Sequence, residues 1–423
     1  MLRVTSLGLF ALVIGLASLF ALLNERLLRL PLTIGILLFS LFAAGGLLLA
    51  EALLPWSGAG QARAVLAQVD LPHTLLDGGL AFLLFAGAQT VDVRALWGRR
   101  YSVLALAVLG TFLAVLLFAL GIWVVFSLLG FSVSFPWCVV LGAILAPTDP
   151  VSVVGMLRRL GLPGPIQALF AGESLLNDGV GVVIFTVALS VAIEGGSAHA
   201  TRLAEAFLWE VGGGLLVGLL GGGLAVLGLR AVQDQHVELL ISLTLASGVY
   251  SVAAVWGMSG PIAVVAAGLI FGAPVAQAAL TPHGRVDLAG FWSHVDEVLN
   301  ALLFVIIGFQ LLSLSFSLPV MLAACLALPL AVLVRGASVF LATLPLYVLR
   351  QERFGVLAVL TGGGLRGGIS LALALSLPSG PERELLLFVS YSVVVFTILV
   401  QGMTIKPLVQ KFYPVGQTGR EKG

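Results

Sequence analysis

Charge is what this chain has least of. Only 10% of its 423 residues are Asp, Glu, Lys or Arg, and the 21 basic and 20 acidic side chains nearly cancel. A soluble globular domain would need far more charged surface, so that class is excluded. Nucleic acid is excluded as a partner, because no basic run exists to meet phosphates. Cysteine is equally scarce. Cys138 and Cys325 stand alone in apolar runs without metal-ligand spacing and read as buried thiols. The five histidines are scattered, with no H-x-x-x-H pair to suggest zinc. Only 54–70 and 194–206 read as hydrophilic excursions, so no soluble domain is predicted.

What remains is apolar: 60% of the residues are hydrophobic and the mean hydropathy is +1.13. At ~20 residues per crossing this predicts an all-α polytopic membrane protein with about thirteen transmembrane helices. Their expected limits are 5–23, 30–50, 71–90, 102–129, 136–157, 166–193, 207–229, 237–257, 261–280, 296–315, 319–348, 354–377 and 384–405. The first run lacks a small-x-small cleavage site before Asn24 and is kept as a span. Placing the C-terminus inside leaves Arg3, Arg63, Arg202 and Arg383 outside and puts Arg335 and Arg366 at membrane depth, with the other 15 of 21 basic residues inside. That asymmetry predicts an N-terminus outside and a cytoplasmic C-terminus.

Within the sixth span stands Gly172-Glu173-Ser174-Leu175-Leu176-Asn177-Asp178. On a helix Glu173, Asn177, Ser174 and Asp178 fall at roughly 0°, 40°, 100° and 140°, one broad polar face. Ionisable groups at membrane depth cost at least ~2.5–3.5 kcal/mol each and usually line an ion path or pair with something. A helix glue needs an amide or a hydroxyl; two acids point to an ion site. Arg335 lies midway along the eleventh span and needs a counter-charge or a water-filled vestibule, and Glu173 is the most available acid of suitable depth.

Two spans are expected to be broken. The fifth carries Ala146-Pro147-Thr148-Asp149-Pro150, whose prolines remove backbone donors. The twelfth carries Thr361-Gly362-Gly363-Gly364-Leu365-Arg366-Gly367-Gly368, too glycine-rich to hold a helix in hydrocarbon unaided. An odd number of steps separates them, so they cross in opposite senses, as in inverted-repeat transporters. Asp149 then offsets the positive helix ends at the crossing and Arg366 the negative ones, both as structural charges. The glycine runs 212–214 and 221–223 lack a following Lys-Ser/Thr and read as close helix packing, not nucleotide loops.

These residues resemble the monovalent cation:proton antiporters, in the branch of bacterial and archaeal sodium/proton exchangers that also includes animal exchangers. The matching elements are 146–151, 172–178, Phe291-Trp292 with Asn300-Ala301-Leu302-Leu303-Phe304, and Gly363-Gly364-Leu365-Arg366-Gly367, spread along the chain. The resemblance implies that Asp178 carries the transported ion or proton. It implies that Ser174 and Thr148 supply oxygen ligands, Thr148 through its freed backbone carbonyl. Asn177 would hold the unwound crossing, and Glu173 would pair with Arg335. It also implies a mobile ion-binding bundle (102–193 and 319–405) working against scaffold helices (5–90 and 207–315) of a homodimer. No resident cofactor is implied; the partners are a monovalent cation, Na⁺ first, protons and the bilayer. Two departures stand out. Many relatives carry an acid in the third span after a Leu-Phe pair, where this chain has Ala86. Relatives often show Trp before Gly-Gly-Leu-Arg-Gly, where this chain has Gly362.

The expected function is exchange of a monovalent cation for protons by alternating access, electroneutral because one group titrates per cycle. The alternative is a sodium-coupled symporter or cation channel on a related broken-helix scaffold; neither would drive protons against a cation gradient. An intramembrane aspartyl protease would need paired aspartates in a Gly-x-Gly-Asp context, whereas Asp178 stands in Leu-Asn-Asp-Gly.

Overall fold

A computed structural model describes residues 6–53, 60–63, 78–149, 162, 164–195, 200–344 and 353–413. Pro150 and the remainder of the fifth predicted span, the start of the third, Arg158, Arg159 and Arg350 lie outside the described residues. Every regular element among the described residues is helical. In chain order these include α1 (Ser6–Leu23), α2 (Leu32–Leu53), α3 (Leu80–Gln89), α4 (Arg100–Leu128) and α5 (Phe135–Ile144). Then follow α6 (Gly164–Ile193), α7 (Ala200–Ala231), α8 (Gln235–Val255), α9 (Gly260–Gly272), α10 (Pro282–Gln310) and α11 (Leu318–Thr343). The last are α12 (Arg353–Gly362), α13 (Gly368–Leu375) and α14 (Arg383–Phe412). Among the described residues nine helices are long and apolar enough to cross a membrane, and α3, α5 and α9 are shorter apolar helices.

Several boundaries differ from the hydropathy reading: α7 begins at Ala200, inside the expected excursion 194–206, and α14 runs on to Phe412. Cys325, expected to be a buried thiol, is exposed. The predicted span 261–280 is α9 followed by a separate short helix Pro274–Ala279, because Pro274 starts a new helix where α9 has run out of backbone donors. The predicted span 296–315 is only the apolar half of α10, which begins at Pro282 and is capped by Thr281 Oγ1 accepting from the Gly284 amide. Its polar first turns continue the helix beyond the apolar run.

The helices pack in two sets. In one, α7 and α8 lie on α9, α9 lies on α3, and α10 lies on α2. In the other, α5 sits between α4 and α6, and α11 packs on α4 and α14. The glycine-rich α7 explains its own closeness to α9: a Cβ at Gly214 would stand 2.5 Å from the Ser259 carbonyl oxygen, and one at Gly218 would strike that of Ala263. The sets meet through α6 against α9 and α10 against α13.

Both interruptions are present. The helix α5 ends at Ile144, Leu145 and Ala146 still donate back to Leu141 and Ala143, and residues 147–149 are unwound. Between α12 and α13 the backbone is likewise unwound. The glycines there make room: a Cβ at Gly364 would lie 2.7 Å from Arg335 Nε, and one at Gly367 would lie 2.7 Å from Asp149 Cβ. At Gly362 a larger side chain would have to displace the end of Leu408, whose methyl lies 2.5 Å from where a Cβ would be.

Candidate functional site

The two breaks satisfy each other's backbone. The Asp149 amide donates to the Leu365 carbonyl at 2.8 Å, one hydrogen bond joining one unwound segment to the other. Past the end of α5 the carbonyls of Ala146 and Pro147 accept from Arg366 Nη1 at 2.8 and 3.3 Å. A guanidinium thus sits on the partial negative charge of a helix C-terminus. The Arg366 amide donates to Thr397 Oγ1 at 3.1 Å, which anchors the second break to the π-helical stretch Thr397–Gln401 of α14. Asp149 lies against Gly367, the N-cap residue of α13, where the helix end carries partial positive charge. Asp149→Asn is therefore expected to lower both melting temperature and exchange, by about 0.3–2 kcal/mol in stability. Detergent melting curves read beside exchange rates check this. Lost exchange with an unchanged melt would make Asp149 an ion ligand instead.

On α6 the polar face is buried against the first break. Glu173, Ser174 and Asn177 are fully enclosed, and Asp178 is 3% exposed. Arg335 of α11 grips Glu173 with both ends of its fork, Nη1 to Oε1 at 2.8 Å and Nη2 to Oε2 at 2.9 Å. Its Nε donates to the Leu360 carbonyl near the end of α12, at 3.2 Å. Asn177 spans the remaining gap. Its amide nitrogen donates to Glu173 Oε1 (2.9 Å) and Thr148 Oγ1 (2.8 Å), and its oxygen accepts from the Thr148 amide (3.3 Å). Thr148 Oγ1 and Ser174 Oγ lie 3.0 Å apart. Whichever hydroxyl donates, lone pairs remain on that pair for a further partner.

Asp178 differs from every other polar group on this face. Its Oδ1 is buried and makes no hydrogen bond among the described residues. It lines a cavity between the two helix sets, walled by Leu80, Leu83, Leu84 and Gly87 of α3, by Asn300 and Leu303 of α10, and by Thr148, Asp149 and Gly367 of the breaks. A bare carboxylate oxygen in a low dielectric is costly, and a proton or a monovalent cation removes that cost. Glu173 cannot play this part, because Arg335 and Asn177 already occupy its oxygens. Ala86 is buried in α3 and adds no polar atom to the cavity.

Three partners were not anticipated from the sequence: Thr397, the Leu360 carbonyl, and the pair Asp296–Asn300 of α10. In that pair Asn300 donates to the Asp296 carbonyl oxygen at 2.9 Å and to its carboxylate at 3.1 Å. The i, i+4 spacing from Trp292 through Asp296 to Asn300 is the signal that marks this third partner.

A helical membrane protein with a bare carboxylate oxygen beside two crossed, interrupted helices has the layout of an ion-coupled secondary transporter. The comparisons with known proteins agree: the family described as "Sodium/hydrogen exchanger, transmembrane" matches residues 10–411. The Na(+)/H(+) antiporter NhaP of Pseudomonas aeruginosa is 38% identical over 417 residues, covering 96% of this chain and 97% of that protein. The Na(+)/H(+) antiporter NhaH of Halobacillus dabanensis is 32% identical over 345 residues, 80% of this chain and 83% of its own length. Among solved structures, the sodium proton antiporter MjNhaP1 from Methanocaldococcus jannaschii shares the fold, with a TM-score of 0.74 at 21% identity over 96% of this chain and 98% of that one. The chain belongs to the sodium/hydrogen exchanger family, and it is a transporter and not an enzyme.

Proposed function

We propose that this protein exchanges Na⁺, or a closely similar monovalent cation, for protons by alternating access, with Asp178 as the group that carries either ion. The observation that carries this reading is the bare Oδ1 of Asp178 in the cavity between the two helix sets. Ser174 and Thr148 complete the cage with neutral oxygens. A single carboxylate with neutral oxygens suits a monovalent ion; a divalent ion wants more anionic ligands. Proton and cation each neutralise Asp178, so the loaded site crosses readily and the empty, charged one poorly.

The mobile unit is the bundle of 102–193 and 319–405, moving against a scaffold of 5–90 and 207–315 through which two copies associate. Thirteen transmembrane helices with inverted repeats follow if the broken fifth and twelfth spans are each one crossing. The N-terminus then lies outside and the C-terminus in the cytoplasm of a prokaryotic inner membrane. In support, Arg63 Nε donates to the Leu312 carbonyl (2.6 Å) and Ser315 to Glu384 (2.8 Å), contacts between segments this topology assigns to one side.

Proteoliposomes loaded with a pH dye and given Na⁺, Li⁺ or K⁺ gradients test the exchange directly. Dye signals absent with every cation would reject it. With Glu173 neutralised by Arg335 and Asn177 uncharged, one positive charge moves each way per cycle. Transport is therefore expected to be indifferent to membrane potential. A steady current on a solid-supported membrane, scaling with applied potential, would show that more than one group is loaded.

A further inference from the structure

Across the cavity from Asp178, one face of α10 carries a polar line that the exchange reading leaves unused. Trp292, Asp296 and Asn300 follow one another at four-residue spacing, within about 80° on the helix surface. Trp292 fixes the rotation of that face: it is buried, its ring lies 4.8 Å from Phe85 of α3, and its indole N–H donates to Ser242 Oγ at 3.1 Å. Two turns further on, Asn300 is therefore held where it lines the cavity shared with Thr148, Asp149 and Asp178.

Asn300 is 5% exposed, and its amide nitrogen is spent on Asp296. Its carbonyl oxygen accepts no hydrogen bond among the described residues, and Asn300 lines the same cavity as Asp178. Asp296 is half-buried one turn closer to the Arg285 end, and it reaches the cavity through its hydrogen-bonded partner Asn300, which lines it together with Asp149. The neighbouring wall offers no charge: α3 contributes only Leu80, Leu83, Leu84 and Gly87.

We propose that Asp296, positioned by Asn300, is an antechamber group that draws the monovalent cation into the cavity before Asp178 takes it. Asn300 is the positioning residue, and its free carbonyl oxygen replaces part of the hydration shell along the way. This rests on the exchange reading above. A negative charge one helical turn from the cavity raises the local cation concentration without touching the loaded state. Its signature is a change in apparent affinity and not in turnover.

The test uses the full chain in proteoliposomes, with Na⁺ titrated at fixed pH. Asp296→Asn is expected to raise the apparent KM for Na⁺ roughly tenfold and leave the maximal rate within about twofold. The difference should shrink as ionic strength is raised with choline chloride, because the field is screened. Asn300→Ala should raise KM alone and add nothing in the Asp296→Asn background. Asp296→Glu should keep KM near the wild-type value. Asp287→Asn, which removes a charge from the exposed start of the same helix, should not change KM. An unchanged KM in Asp296→Asn, or a lost maximal rate without a KM change, overturns the assignment. Should Asp296→Asn fail to fold, Asn300→Ala decides, and an unchanged KM there overturns it equally. Wild-type vesicles that exchange no cation at all would remove the exchange reading and this assignment together, a failure distinguishable from all the others.

Discussion

Asp178→Asn is expected to abolish exchange of cations for protons while expression and melting temperature stay at wild-type values. The carboxylate oxygen it removes makes no hydrogen bond among the described residues, so no fold-supporting bond to that oxygen is lost. An amide in its place can neither take up a proton nor balance a cation. The shared-site scheme also makes a graded prediction for the wild type. If proton and cation compete for this one carboxylate, the apparent KM for the cation climbs as pH falls through the titration range. The slope approaches about tenfold per pH unit, since each unit is ~1.4 kcal/mol of proton displacement. At high pH the maximal rate falls as well, because no proton remains to be carried back, and the profile is bell-shaped. Dye-monitored exchange at a series of pH values and cation concentrations checks both limbs. An Asp178→Asn protein that still trades protons for cations would sink the assignment, as would a KM that ignores pH.

The second large effect concerns Glu173 and Arg335, and here the loss is expected in stability. Removing either partner should cost roughly 3–5 kcal/mol, because it leaves the other charge buried without compensation. The geometry argues for the upper part of that range. Both carboxylate oxygens and both terminal nitrogens are engaged, and Arg335 additionally holds α12 through the Leu360 carbonyl. Glu173→Gln and Arg335→Gln should each lower the detergent melting temperature sharply. The double variant Glu173→Gln/Arg335→Met should recover much of the loss, since it keeps an acceptor for Asn177 and leaves no charge unpaired. If the double variant is as unstable as the two single losses combined, packing and not charge explains the effect. If neither single variant changes the melt, the pair contributes nothing to the fold.

Much of this arrangement is legible in the chain because hydrocarbon tolerates so little. A charge at membrane depth stands out against an apolar background, and Glu173, Asp178, Asp149, Arg335 and Arg366 are conspicuous for that reason. Two opposite charges in separate apolar spans have few ways to be satisfied, and the structure has Glu173 and Arg335 2.8 Å apart. Proline and glycine mark the interruptions because they lack, respectively, a donor and a side chain. What escapes a linear reading is which backbone group meets which. The bond from Asp149 to Leu365 joins residues whose nearness exists only after the helices have packed. Asp296 escapes for another reason. It stands beside Ser293, His294 and Glu297, so it reads as part of a solvated helix end, and only the longer α10 and the anchoring of Trp292 turn its face inward. Glu238 is similar: it reads as an ordinary charge at a span end, yet it is fully buried and accepts from the Thr281 amide and hydroxyl.

Among the described residues, the bonds given above for the two unwound segments close inside one set of helices: Arg366 on Ala146 and Pro147, Leu365 on Asp149, Asn177 on Thr148, and Thr397 on Arg366. The consequence is one of clock speed. If the exchange proposed above moves that set against its neighbours, none of these bonds has to open, and the step is expected on the microsecond-to-millisecond scale of rigid-body motions. Local unfolding, which extends to seconds, would then set no limit on it. Under that proposal the polar knot is tied once, during folding, and would travel whole with each ion.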